Sequence, residues 1–125
     1  MTPTARRQLG DAGEREARRL LEAAGYAFVA ANWHCAAGEL DLVMQDGAEL
    51  VFVEVKTRRG ERAGRAEEAI TASKTAKLLA AGEWFVAEHP EWHGAIWRVD
   101  LFAITLGSDG RVERVVHEQN VAATG

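Results

Sequence analysis

Apolar residues recur at helical spacing from about Gln8 to Ala24, where Gly13, Ala17, Leu20, Leu21 and Ala24 fall on one stripe. Gly25 reads as the stop signal of that helix, and residues 1–7 read as a loose N-terminal arm. Tyr26 to Ala31 reads as a short strand, followed by a loop over Asn32, Trp33, His34 and Cys35. Two β-rich runs then flank Asp46-Gly47, a dipeptide suited to a tight type I′ turn. A second helix is expected over about Ala72 to Glu88, capped by Thr71 and stopped by Pro90, with Leu78, Leu79, Gly82, Phe85 and Val86 as its buried stripe. Ile96 to Leu106 reads as a buried strand, with Asp100 pairing to Arg98 or to a basic group on a neighbouring strand. Ser108-Asp109-Gly110 reads as a turn, and Arg111 to His117 as a last, half-exposed strand.

The order α-β-β-β-α-β-β predicts an antiparallel meander, then a helical crossover that lays the Ile96 strand parallel to a meander strand. The expected fold is α/β, a small mixed sheet with helices packed on it. A chain of 125 residues suits one domain, here 1–125 with a core over about 9–105.

The hairpin around Asp46-Gly47 carries the unusual feature. With those two residues as the turn, Gln45 faces Ala48, Val43 faces Leu50, Asp41 faces Phe52 and Glu39 faces Glu54. Alternation puts Glu39, Asp41, Glu54 and Lys56 on one face, and Leu40, Leu42, Met44, Val51, Val53 and Val55 on the other. Asp41 and Glu54 are then diagonal neighbours. A charged strand face is usually a solvated one. This one also carries Val43, Leu50 and Phe52, so it is partly covered, and close carboxylates want a cation. Glu14 lies seven residues before Leu21 and so at the border of the helix stripe. It is either a carboxylate favoured by the helix N-terminus or an acid leaning over the sheet.

Composition changes this picture little. The apolar fraction is 47% and the charged fraction 27%, ordinary for a globular protein. One cysteine, Cys35, excludes an intrachain disulfide, and the His34-Cys35 pair has no spaced partners for a metal. No signal-peptide pattern or membrane-length run is present, so a cytoplasmic protein is expected. The net charge of −4 speaks mildly against a nucleic-acid binder, but charge is unevenly spread. From Lys56 to Lys77 seven basic residues stand against three acidic ones, which puts a basic surface beside the acidic hairpin. Thr57 to Ala66 reads as a basic loop without the Gly-Lys-Ser/Thr ending of a Walker-type phosphate loop. Lys74 is either a snorkelling surface lysine or a phosphate-facing amine at the helix start.

Asp41, a short hairpin and then Glu54-Val55-Lys56, set in αβββαβ order, resembles the PD-(D/E)xK nucleases with their restriction-endonuclease-like core. The chain resembles one branch more closely, the bacterial YraN-like family, which is similar to archaeal Holliday-junction resolvases. The matching residues are Gly13-Glu14, Asn32-Trp33, Gly38-Glu39-Leu40-Asp41-Leu42, Val51 to Arg58, Ala69-Ile70-Thr71 with Lys74, and Arg98-Val99-Asp100. His34 departs from the family, which usually has a basic residue there, and Leu40 stands where the motif's name has proline. The resemblance implies Asp41 and Glu54, with Glu14, as ligands of a catalytic Mg²⁺ or Mn²⁺. It implies Lys56 as the lysine that orients or activates the attacking water. Arg58, Arg59 and Lys74 are then expected on the nucleic-acid backbone. The expectation is a metal-dependent endonuclease acting on DNA, on branched or repair intermediates, with a homodimer by analogy. The alternative is a nucleic-acid-binding module of the same fold with little activity, working with a partner protein.

Overall fold

The run Val51–Val55 carries apolar side chains on both faces for most of its length, the composition of a strand covered from both sides. In the computed structural model, which describes residues 3–60 and 71–122, it lies in the central strand of a five-stranded sheet. The elements are α1 (Pro3–Ala23), β1 (Ala27–Cys35), β2 (Gly38–Asp46), β3 (Glu49–Arg59), α2 (Ala72–Glu88), β4 (Trp97–Leu106) and β5 (Val112–Glu118), with a 3₁₀ turn at Pro90–Trp92. The sheet order is β1-β2-β3-β4-β5, antiparallel throughout except for β3 and β4, which run parallel. This is the expected αβββαβ order of a restriction-endonuclease-like core, with β5 added at one edge. Among the described residues no helix is long and apolar enough to cross a membrane.

Each helix covers one side. Ala17 and Leu21 of α1 pack on Leu42, Met44, Val51, Val53, Phe102 and Ile104. Leu78, Ala81 and Phe85 of α2 pack on Leu40, Val43, Leu50, Phe52 and Val99. The α2 boundaries agree with the sequence reading, and Thr71 Oγ1 accepts the Lys74 backbone N–H at 3.2 Å as its cap.

Several expectations need correction. The hairpin register is displaced by two: Val43 pairs with Phe52, Gln45 with Leu50 and Asp46 with Glu49, leaving Gly47 and Ala48 as the loop. Only Gly47 of these two has a positive φ, 60°, which is the II′ pattern rather than the I′ turn of Asp46-Gly47. Arg98 holds the displaced register, since it bonds both Asp46 and Glu49 across the turn. A displacement of two leaves most side chains on their expected faces. It also brings Asp41 and Glu54 level with each other, rather than diagonal.

Leu40 is the exception, because it packs with α2 while Leu42 packs with α1. The β2–β3 ladder ends at Leu42 and Val53, and beyond it the Asp41 carboxylate, not a backbone carbonyl, accepts the Val55 N–H at 3.0 Å. The N-terminal arm is also corrected: residues 3–7 belong to α1, which starts at Pro3, a residue suited to a first helical position. Asn32 to Cys35 are strand, not loop, because β1 and β2 close on the short turn at Ala36 and Ala37, which offers no glycine or asparagine signal. Ile96 falls just outside β4 and is exposed. Arg62, Arg65, Ala69 and Ile70 lie outside the described residues.

Asp100 is fully buried and holds one end of the sheet together. It accepts from Arg98 Nε at 3.0 Å and from the Asn120 backbone N–H at 3.0 Å, and His117 Nε2 lies 2.8 Å away. Burial opposes its charge, but these three partners outweigh it and hold the carboxyl below the usual aspartate range. Asp100→Asn is expected to cost about 3–5 kcal/mol at neutral pH, as for a broken buried pair. Because the folded pKa is lowered, wild type loses this contribution as pH falls below about 4. The gap between the two proteins in urea melts should therefore close in acid.

Candidate active site

The end of β2 and β3 away from the turn is where the hairpin opens. Glu54 and Lys56 follow Phe52 along β3 with the same alternation, and Lys56 Nζ lies 3.6 Å from Glu54 Oε1. Val55 and Thr57 alternate to the α1 side. There α1 comes in very close: a Cβ on Gly13 would stand 1.8 Å from Thr57 Oγ1. Only glycine permits that approach, and the next residue, Glu14, is thereby lowered onto the opening.

An open cavity of about 580 Å³ results, lined by Glu14, Asp41, Glu54 and Lys56 together with Arg58, Arg59 and Arg6. Six of the expected site residues therefore meet in one place. Lys74 does not line this cavity. It lines a smaller one of about 140 Å³ on the α2 side, with Lys77, Glu39 and Glu54. Glu54 borders both cavities. Arg59 is partly committed, since its Nη1 donates to the Gly107 carbonyl at 3.4 Å.

The electrostatics are those of a site short of positive charge at its acids. Burial, then the charge of Glu54, pushes the Asp41 carboxyl up to about 8, opposed by the Val55 N–H. Burial also raises Glu14, joined by the charges of Asp11, Glu39 and Glu54 and opposed by the Asn32 amide. On the cationic side, the hydrogen bond to Lys56 lowers Lys74, and burial and the Lys56 charge act the same way. Two ammonium groups carry only donors, so this bond forms only when one of the amines has lost its proton.

Among the described residues, no three His, Cys, Asp or Glu side chains already converge to hold a metal by themselves. Magnesium does not need such a cage, because it takes one or two carboxylates and keeps several waters. Asp41 and Glu54 are oxygen donors, level with each other, and the part-buried Asp41 carboxyl sits beside two further acids. That donor set fits a hard divalent cation.

Two residues were missed from sequence. Arg6 falls in the segment whose sequence reads as an arm, yet Arg6, Gly10 and Glu14 are spaced four apart and share one face of the extended α1. Asn32 was read as loop, and no feature of the sequence marked its contact with Glu14.

The sequence profile described as "Uncharacterised protein family UPF0102" matches residues 13–104. A UPF0102 protein of Roseiflexus castenholzii is 44% identical over 112 residues, 90% of each chain. One of Chloroflexus aurantiacus is 39% identical over 123 residues, 98% of each chain. One of Frankia alni is 44% identical over 117 residues, 94% of this chain and 96% of the relative. The match spans Glu14, Asp41, Glu54, Lys56 and Lys74, so the whole cavity apart from Arg6, Leu9 and Gly10 lies inside it.

Proposed function

The chain belongs to the family UPF0102, and from that membership and the acidic cleft we propose that it is a metal-dependent endonuclease of the PD-(D/E)xK kind, similar to archaeal Holliday-junction resolvases. The substrate would be DNA, branched or part-processed, and the working form a two-fold dimer. One observation carries the reading: Asp41, Glu54, Lys56 and Glu14 line a single cavity in which burial and the neighbouring acids Glu54 and Glu14 hold the Asp41 carboxyl well above the usual aspartate range.

Asp41 and Glu54 would hold Mg²⁺ or Mn²⁺, with Glu14 on the ion or its water. Bound there, the ion would lower the pKa of a water and offset charge building on the phosphate. The remaining work falls to the chain itself. Lys56, beside Glu54, orients a water and donates to a phosphate oxygen. Arg58, Arg59 and Arg6 bind phosphates on one side of the cleft, and Lys74 on the other. In the reaction a water oxygen bonds to phosphorus and gives up one proton, one ester P–O bond breaks, and the departing oxygen takes up a proton, so that one water is consumed.

A second reading, a binding module that works with a partner protein, draws support from the Glu54–Lys56 pair, in which two site charges already satisfy each other. Incubation with linear, single-stranded, flapped and four-way DNA separates the two, with Mg²⁺, with Mn²⁺ and with chelator. Cleavage of at least one substrate that stops on chelation is expected. Binding without metal-dependent cleavage of any of them removes the enzyme.

A further inference from the structure

The structure assigns Asn32 as the positioning residue of this site, a role that rests on the metal-dependent reading above. Asn32 stands in β1 between the pairs Ala31–Leu42 and Trp33–Leu40, and therefore across from Asp41. Its φ is 50°, in the left-handed region that asparagine enters more readily than most residues. Both strands change face at this level. Ala30 and Trp33, three apart, both pack toward α2, as do Leu40 and Val43, also three apart. Strict alternation would separate the members of each pair. The left-handed residue supplies the extra turn.

The Asn32 amide then does what a backbone group could not. An amide oxygen facing both acids would meet only acceptors, so the nitrogen is assigned to that side, where it donates to Glu14 Oε2 at 3.0 Å and to Glu39 Oε1 at 3.3 Å. One neutral side chain thus bridges an acid of α1 and an acid of β2 that repel each other. It engages one oxygen of each carboxylate, and a carboxylate has a second oxygen for an ion or its water. The Gly13–Thr57 approach brings the α1 backbone down; the Asn32 amide fixes where the Glu14 carboxylate points. Neither job requires Asn32 to touch substrate or metal.

Asn32→Gly keeps access to the left-handed backbone and removes only the amide. The first measurement is made without metal: melting temperatures of wild type, Asn32→Gly, Glu14→Ala and the double variant. The shifts are expected to be non-additive, the double falling short of the sum of the singles. The second is Mn²⁺ binding by calorimetry, where Asn32→Gly is expected to bind about tenfold more weakly than wild type. Adding Glu39→Gln, which removes the repelling acid, should recover part of that loss. Additive melting shifts overturn the contact. Non-additive shifts with unchanged Mn²⁺ affinity overturn the positioning role and leave Asn32 a structural tie. If wild type itself binds no Mn²⁺, the metal reading has failed, and Asn32 has nothing to position.

Discussion

Asp41→Asn is expected to lower metal-dependent cleavage by about 10²–10³-fold and, in the same protein without metal, to raise the melting temperature. The two effects have one cause. Asp41 is part-buried beside Glu54 at the opening of the hairpin, and the Val55 N–H and the more distant Lys74 charge do not offset burial and the neighbouring acids. Its folded pKa is raised from 3.8 to about 8, so wild type loses stability as pH rises between those values and the carboxylate must ionise in place. Asparagine has no such cost. The variant's advantage should be absent near pH 4 and greatest above pH 8, on the order of 5 °C or more. Added Mg²⁺ or Mn²⁺ should raise the wild-type melting temperature and leave the variant nearly unmoved. Differential scanning calorimetry at several pH values reads all of this. A variant that is no more stable than wild type at pH 8 would show that the acid is already compensated, and cleavage that survives the substitution would remove Asp41 from the site.

Lys56→Ala is expected to lower cleavage by about 10²–10⁴-fold while Mn²⁺ affinity changes only a few-fold, since the amine acts on water and phosphate rather than on the ion. A second consequence follows at Lys74. The bond to Lys56, together with burial and the Lys56 charge, holds the Lys74 ammonium below the usual lysine range. Removing Lys56 should move Lys74 upward, as read from the pH titration of its ¹³Cε resonance. A Lys74 resonance that titrates identically in both proteins would mean the amines do not meet.

Most of the element order was legible in the sequence, because it rests on periodicity and end signals that act locally. Thr71 caps α2 and the stripe through Leu78 and Phe85 gives its buried face. The site core was legible for a related reason. Glu54 and Lys56 share a strand face by spacing alone, and Asp41 stays near Glu54 under either register. What failed depends on contacts distant in the chain. The hairpin register is set by Arg98, about fifty residues beyond the turn, bonding Asp46 and Glu49. The face change at Leu40 follows from a left-handed residue on the neighbouring strand. Arg6 was lost because α1 runs to Pro3 with no large apolar residue before Leu9 to extend its stripe.

The approach of Gly13 to Thr57 bears on how this chain can vary in length. Along β3 one parity docks α1, through Val53, Val55 and Thr57, and the other carries Glu54 and Lys56. Inserting or deleting a single residue between Val53 and Thr57 would exchange these duties, setting Lys56 or Arg58, respectively, beneath Gly13 and turning Thr57 to the cleft side. Substitutions there can be absorbed one by one, whereas a frame-preserving indel cannot. The segment should thus be the least tolerant of length change in the described chain, and a deletion scan scored for soluble expression would find its sharpest minimum there.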